Sequence, residues 1–299
     1  MRNKKNNIRY KDNKIAYMFI APFIIMFVFF KFYPMIYGFL VSFLNRNSVQ
    51  RLNDTTFVGL SNYIKILSSK TFWISFANTM IFSLVYTAAL MIFSMFLAIL
   101  FNKEFKGRVI VRTFFYMPYV TNIIAVGIVW KYLLNPTKGP VNAIFRLLNM
   151  PVVPQWLNSP NLALIVTALI GVWVALAFNI ITFLAALQEI PPYHIEVADL
   201  EGATFFQKVK EIIIPHLMPT FFLLLVITII NSFRNYSIII SLTNGGPGVA
   251  TKVLALQIYD DAFTYMKFSL AAAEGVIFTA FIIFINGVVQ RIRNRWINQ

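Results

Sequence analysis

Cysteine is absent from the 299 residues, which removes disulfide frameworks, thiolate metal sites and cysteine nucleophiles together and leaves the redox compartment unread. Charge is scarce as well: 12% of the residues are charged, against roughly 25% in an ordinary soluble domain. There are 11 acidic side chains and two histidines. His194 and His216 have no second ligand at metal spacing, and Asp260 and Asp261 are adjacent carboxylates in a connecting segment, so neither metal nor carboxylate catalysis has a footing. No G-x-x-x-x-G-K-[ST] loop occurs, so the chain carries no nucleotide-phosphate cradle of that type.

What remains is apolar. Hydrophobic residues make up 59% of the chain and Phe occurs 31 times; the mean hydropathy is +0.70. One soluble core of this length could not hide that much apolar surface. A helix rises about 1.5 Å per residue, so crossing a hydrocarbon core of about 30 Å takes about 20 mostly apolar residues. Six stretches qualify, at about 15–40, 74–101, 112–134, 162–187, 217–242 and 268–290. The basic segment 1–14 leads into the first of them without an A-x-A-like cleavage site, so that segment is expected to stay attached.

The net charge of +15 does not indicate nucleic acid, because no basic face with interleaved aromatics is left once the apolar stretches are set aside. The cations lie between the stretches instead. With the N-terminus inside, Arg2, Lys4, Lys5, Arg9, Lys11, Lys14, Lys103, Lys106, Arg108, Arg112, Lys208, Lys210, Arg291, Arg293 and Arg295 are cytoplasmic, 15 in all. Nine fall outside: Arg46, Arg51, Lys65, Lys70, Lys131, Lys138, Arg146, Lys252 and Lys267. The excess predicts both termini in the cytoplasm. The outer connection 135–161 holds Pro136, Pro140, Pro151, Pro154 and Pro160, which predicts an irregular loop with one short helix around 141–148, either a plain connector or a docking surface for an outside partner.

Five of the 11 acidic residues cluster at 189–211, on the predicted cytoplasmic side. Pro192 suits the first turn of a helix, and Glu196 and Asp199 share a face of it. Gly202 can end that helix in a left-handed conformation, and a second amphipathic piece runs from Thr204 toward Pro215. Ile195, Val197, Phe205, Phe206 and Val209 are interleaved through this turn and need a protein partner to cover them.

At these residues the chain resembles the integral-membrane permease subunits of ABC importers. The cytoplasmic signature of that family is EAA, three residues, G, nine residues, I, one residue, L-P; Glu196, Val197, Ala198, Gly202, Ile212, Ile214 and Pro215 stand at those spacings, with Val197 and Ile214 as mild departures. The resemblance implies a coupling helix, with Asp199 and Ala203 part of it, that inserts into a separate ATPase subunit. Phe57-Val58-Gly59-Leu60-Ser61-Asn62-Tyr63 after Ser42-Phe43, and Thr243-Asn244-Gly245-Gly246-Pro247 followed by Thr251, are similar to the maltose-type, carbohydrate-uptake branch.

The expected fold is therefore all-α and polytopic: a cytoplasmic segment 1–14, a transmembrane permease domain 15–290 of six helices with its coupling-helix loop at 188–216, and a cytoplasmic segment 291–299. The resemblance implies a multi-pass subunit of a bacterial cytoplasmic membrane, embedded in lipid, which is not itself an enzyme. Its implied partners are a second permease subunit, two ABC ATPase subunits that bind ATP and Mg, an extracellular solute-binding protein and a sugar or oligosaccharide substrate. A permease for a phosphodiester or polyamine is the rival within the class; a stand-alone secondary transporter is the rival outside it, although neither an ion relay nor internal repeats stand out.

Charge inside a span is costly and usually faces a cavity or a partner. Arg234 lies in the fifth stretch and Glu274 at the start of the sixth. An Arg234–Glu274 ion pair is one reading. The other puts Arg234 in the translocation path, where its fork of donors suits the carboxylate or sulfate of an acidic oligosaccharide. Asn231, Ser232, Asn235 and Tyr236 are candidates to line that path or to bond neighbouring helices.

Overall fold

The structure, a computed structural model, describes residues 5–46, 55–102, 106–150 and 153–297, with side chains described from Ile15 to Trp296. Arg2, Lys4, Arg51 and Lys103 of the charge count lie outside the described residues.

The described chain is mostly helical. In order, it contains α1 (Lys5–Phe27), a π-helical turn (Val28–Phe32), α2 (Tyr33–Val41), the paired strands β1 (Leu44–Asn45) and β2 (Thr56–Phe57), and α3 (Ser61–Leu67). Then follow α4 (Lys70–Asn102), α5 (Arg108–Val120), α6 (Ile123–Leu133), α7 (Pro140–Leu147) and α8 (Ala163–Gln188). The remainder is α9 (Pro192–Leu200), α10 (Phe205–Lys208), a π-helical turn (Val209–Ile213), α11 (Ile214–Arg234), α12 (Ser237–Leu242), α13 (Leu254–Tyr259), a π-helical turn (Asp260–Thr264) and α14 (Phe268–Ile297).

Among the described residues, five helical stretches are long and apolar enough to cross a membrane: Ile15–Val41, Lys70–Asn102, Ala163–Gln188, Phe205–Arg234 and Phe268–Trp296. The expected stretch at 112–134 is not one straight helix. It is α5 and α6, bent by 106° at their junction. Pro118 sits in the last turn of α5, Thr121 turns to extended backbone, and the Asn122 side chain caps α6 by accepting from the Ile124 N–H at 2.8 Å. The fifth stretch also differs in its limits. It begins at Phe205, so the second piece of the 188–216 loop is continuous with it, and it ends at Arg234, where Asn235 breaks the backbone before α12. The short outer helix expected at 141–148 is α7.

Two π-helical turns share a cause. Tyr33 N–H reaches back to Val28 O, and Ile214 N–H reaches back to Val209 O. Each precedes a proline, Pro34 or Pro215, which has no N–H to bond the fourth residue back, and the wider turn absorbs the lost bond.

The chain forms two compact units, 1–68 with 258–277, and 69–257 with 278–299. In the first, β1 and β2 pair antiparallel, Leu44 opposite Phe57. The Asn62 amide donates to Ser42 O and Leu44 O at 2.9 Å each, Tyr63 Oη lies 2.6 Å from Ser42 Oγ, and Gly59 turns at φ +55°. The two quoted marks at 42–43 and 57–63 thus lock one another and act architecturally.

In the second unit, α4 packs along α8, with Phe82, Tyr86 and Leu90 buried on one and Ile180, Phe183 and Leu187 on the other. Small residues permit the approach: a Cβ on Gly171 would stand 3.2 Å from the Tyr86 ring. The mark at 243–247 is structural too. Thr251 Oγ1 donates to Gly246 O at 2.8 Å and meets Thr243 Oγ1 at 2.7 Å, while the Asn78 amide of α4 holds Val249 O and Lys252 O at 2.9 and 3.0 Å.

Candidate functional site

The acidic segment folds as the spacing predicts. Pro191 is extended and Pro192 occupies the first turn of α9, where its missing N–H costs nothing. The helix ends in a Schellman arrangement: Ala203 N–H donates to Ala198 O at 2.9 Å and Gly202 N–H donates to Asp199 O at 3.1 Å. Gly202 takes φ +76°. Thr204 starts α10 with a reciprocal capping box, its own N–H donating to Gln207 Oε1 at 2.7 Å while its hydroxyl accepts from Gln207 N–H at 3.4 Å. Lys208 Nζ reaches back to Asp199 Oδ1 at 2.5 Å. Two helices therefore meet at a glycine with their mutual angle fixed by backbone bonds.

Of the signature residues, Glu196, Val197, Asp199, Gly202 and Pro215 are exposed, Ala203 and Ile212 half-buried, and Ala198 buried. Ala198 and Ile212 anchor the turn on its own unit; the exposed set is left to contact something else. Tyr193, Val197 and Leu200, spaced by four and three residues, line one open face of α9, and Leu200 is 88% exposed. Phe206, 81% exposed, adds to the uncovered apolar surface of the turn. Tyr193 and Leu200 were missing from the sequence-based set, although the helical spacing signals them. Ile195 and Val209 belonged to that set, and both are half-buried.

The second candidate group lies where α11 ends. Asn231 and Arg234 are exposed and, three residues apart, share a face of the helix. Among the described residues of its own unit, the Arg234 side chain makes no hydrogen bond or ion pair. Ser232 points inward: its hydroxyl donates to Ile229 O at 2.7 Å and lies 2.6 Å from Ser83 Oγ of α4. Asn235 and Tyr236 are half-buried, and the Asn235 side chain bonds the Tyr86 hydroxyl. Two faces thus separate, with Ser232 and Asn235 bonded to α4 and Asn231 with Arg234 turned outward. A further polar contact ties α11 to α8, from the Asn179 amide of α8 to Thr228 Oγ1 of α11 at 3.4 Å.

The pattern of the family described as binding-protein-dependent transport system inner membrane component matches residues 90–298. The chain is 31% identical over 258 residues to the trehalose/maltose transport system permease protein MalF of Thermococcus litoralis, covering 86% of each chain. It is 32% identical over 273 residues to the sn-glycerol-3-phosphate transport system permease protein UgpA of Agrobacterium fabrum, covering 91% of this chain and 92% of that one. In fold, it is similar to a chain of a bacterial ABC transporter involved in the import of the acidic polysaccharide alginate, with a TM-score of 0.84 at 24% identity over 98% of this chain and 99% of that one. A chain of the alginate transporter in complex with an alginate pentasaccharide-bound periplasmic protein gives a TM-score of 0.85 at 23% identity, covering 98% of each.

Proposed function

Because the chain belongs to the family of binding-protein-dependent transport system inner membrane components, we propose that it is the permease subunit of an ATP-driven importer of an acidic oligosaccharide. The observation that carries the coupling role is the turn at Gly202: two short helices with a backbone-fixed angle and an exposed apolar face, Tyr193, Val197 and Leu200. Such a face fits a cleft in a cytoplasmic ATPase. Continuity of α10, the π-helical turn and α11 makes the far side of the turn one rod with the fifth span. Closure of two ATPases around ATP and Mg would then move that rod and open the path outward.

In this reading α5 and α6 together make the third of six spans, both termini are cytoplasmic, and the subunit works beside a second permease in the cytoplasmic membrane of a bacterium. An extracellular solute-binding protein delivers the sugar. Carbohydrate is supported by the trehalose/maltose relative at 31% identity. The acidic character rests on Arg234, a cation turned outward beside Asn231 at the end of α11; both the glycerol-3-phosphate relative and the alginate importer are associated with anions.

The test is uptake into vesicles carrying the assembled transporter and its solute-binding protein, comparing an acidic oligosaccharide, trehalose or maltose, and glycerol-3-phosphate. ATP-dependent accumulation of the acidic oligosaccharide above the other two is expected. Uptake without any ATPase subunit would reject the class; preference for a neutral sugar would reject the acidic substrate alone.

A further inference from the structure

A cavity of about 440 Å³ opens on the side of the second unit where α4 ends, α5 begins and α8 ends. That size lies within the roughly 300–1,000 Å³ typical of small-molecule sites. Its walls are mainly apolar, built by Phe101, Phe115, Tyr116, Ile181 and Leu184, with Arg112 among them. Ile181 and Tyr116 are 52% and 41% exposed, so the mouth faces outward from the unit.

Arg112 is only partly satisfied. Its Nη2 donates to Phe101 O at 2.6 Å, which caps one of the last carbonyls of α4. Its Nε is buried with no hydrogen-bond partner, and no carboxylate pairs with it among the described residues. A guanidinium carries five donors, and a cation held in a low-dielectric wall draws an anion. The described segment 106–112 adds to this, with Lys106, Arg108 and Arg112 and no carboxylate in its sequence.

We propose that this cavity is a binding site for an anionic phospholipid, with an acyl chain lying between α5 and α8 and the headgroup phosphate at Arg112. The chemistry needs both halves: an apolar slot open to the surrounding bilayer and a fork-shaped cation at its polar end. Free phosphate would use only the second half. Gln188, the last residue of α8, lines the cavity and is followed directly by the α9 turn, so assignment to the cytoplasmic leaflet rests on the proposed placement of that turn. The binding itself does not. An anionic lipid here would sit against three helix ends next to the coupling turn and restrain their relative motion.

The experiment uses the complete transporter, purified in neutral detergent and offered phosphatidylglycerol or phosphatidylcholine, with retained lipid counted by native mass spectrometry. Wild type should retain phosphatidylglycerol in preference. Arg112→Gln should weaken that retention about fivefold, the scale of one basic residue near an anionic leaflet, and leave phosphatidylcholine unchanged. Because Arg112 also caps α4, Ala185→Phe supplies an independent arm: Ala185 is an exposed cavity residue, and the larger ring should displace the acyl chain with the cation intact. Equal retention of both lipids by wild type, unchanged phosphatidylglycerol with Ala185→Phe, or displacement of the lipid by millimolar inorganic phosphate would overturn the proposal. So would crosslinking of Ala185→Cys to the second permease subunit by a thiol-to-amine crosslinker, since this chain has no other cysteine to react.

Discussion

Lys208 Nζ stands 2.5 Å from Asp199 Oδ1, so a single ion pair spans the turn that Gly202 makes between α9 and α10. The Asp199 side chain is 56% exposed, and a solvent-facing pair of this kind contributes about 0–1 kcal/mol. The turn therefore depends chiefly on its backbone bonds from Gly202 and Ala203, which require the left-handed conformation at Gly202.

That dependence predicts a graded response at position 202. A Cβ there would meet nothing within 4 Å, so the cost of a side chain is purely conformational, about 1–2 kcal/mol for an ordinary residue and less for Asn, which enters the left-handed region more readily. Gly202→Val should lower both uptake and co-purification of the ATPase, whereas Gly202→Asn should retain most of each. Normal uptake and ATPase association by Gly202→Val would remove the coupling role from this turn.

Gly127 is constrained by space instead. A Cβ on it would lie 2.1 Å from Ser241 Oγ and 2.4 Å from Ser241 Cβ, where α6 crosses α12. Gly127→Ala should destabilise the protein by about 1–3 kcal/mol through overpacking, read as a lowered unfolding midpoint in detergent. Adding Ser241→Gly should return part of the loss in a double-mutant cycle. Additive effects would show that the Ser241 side chain is not what a methyl at position 127 strains.

Much of this was legible beforehand for physical reasons. A run free of Asp, Glu, Lys, Arg and His such as 74–101 has few folded alternatives to a spanning helix, and Pro192 and Gly202 carry strong local preferences, so α9 ended and α10 began where expected; the Thr204–Gln207 box was a further signal left unread. The 106° bend was missed because 112–134 is apolar on average and hydropathy does not register direction; Asn122, a good N-cap residue four positions after Pro118, was the available signal. Ser232 and Arg234, two residues apart, have opposite surroundings. Sequence could not divide them, because which side of α11 meets α4 is decided by packing.

The bend gives the topology a sharp test. If α5 and α6 together cross the membrane, the connections on either side of them lie on opposite faces. In a chain without cysteine, Lys106→Cys and Lys138→Cys, both at exposed positions, should label with an impermeant thiol reagent in vesicles of opposite orientation. Arg295→Cys should follow Lys106→Cys. Labelling of Lys106→Cys and Lys138→Cys from one side would make the bent pair a re-entrant loop and leave five crossings.

Arg234 ends α11, exposed, with no ionic partner among the described residues of its unit; Glu274, in the other unit, is 1% exposed. A cation at a helix C-terminus gains about 0.3–1 kcal/mol from the helix dipole, less than a charge inside a span costs, which leaves substrate, Glu274 or water to compensate it. If Arg234 reads the substrate anion, Arg234→Gln removes a charge-assisted hydrogen bond of about 1.5–3 kcal/mol. Uptake of the acidic oligosaccharide should then fall about 10- to 100-fold, with neutral-sugar uptake and ATPase co-purification unchanged. If Glu274 is the partner, the single change strands a buried carboxylate, expression and assembly fall, and the double change with Glu274→Gln recovers much of the loss. The outcomes differ in kind, since one alters substrate selection in an intact complex and the other alters the complex. Unimpaired uptake of an acidic oligosaccharide by a stably assembled Arg234→Gln transporter would end the recognition role and assign Arg234 to the end of its helix alone.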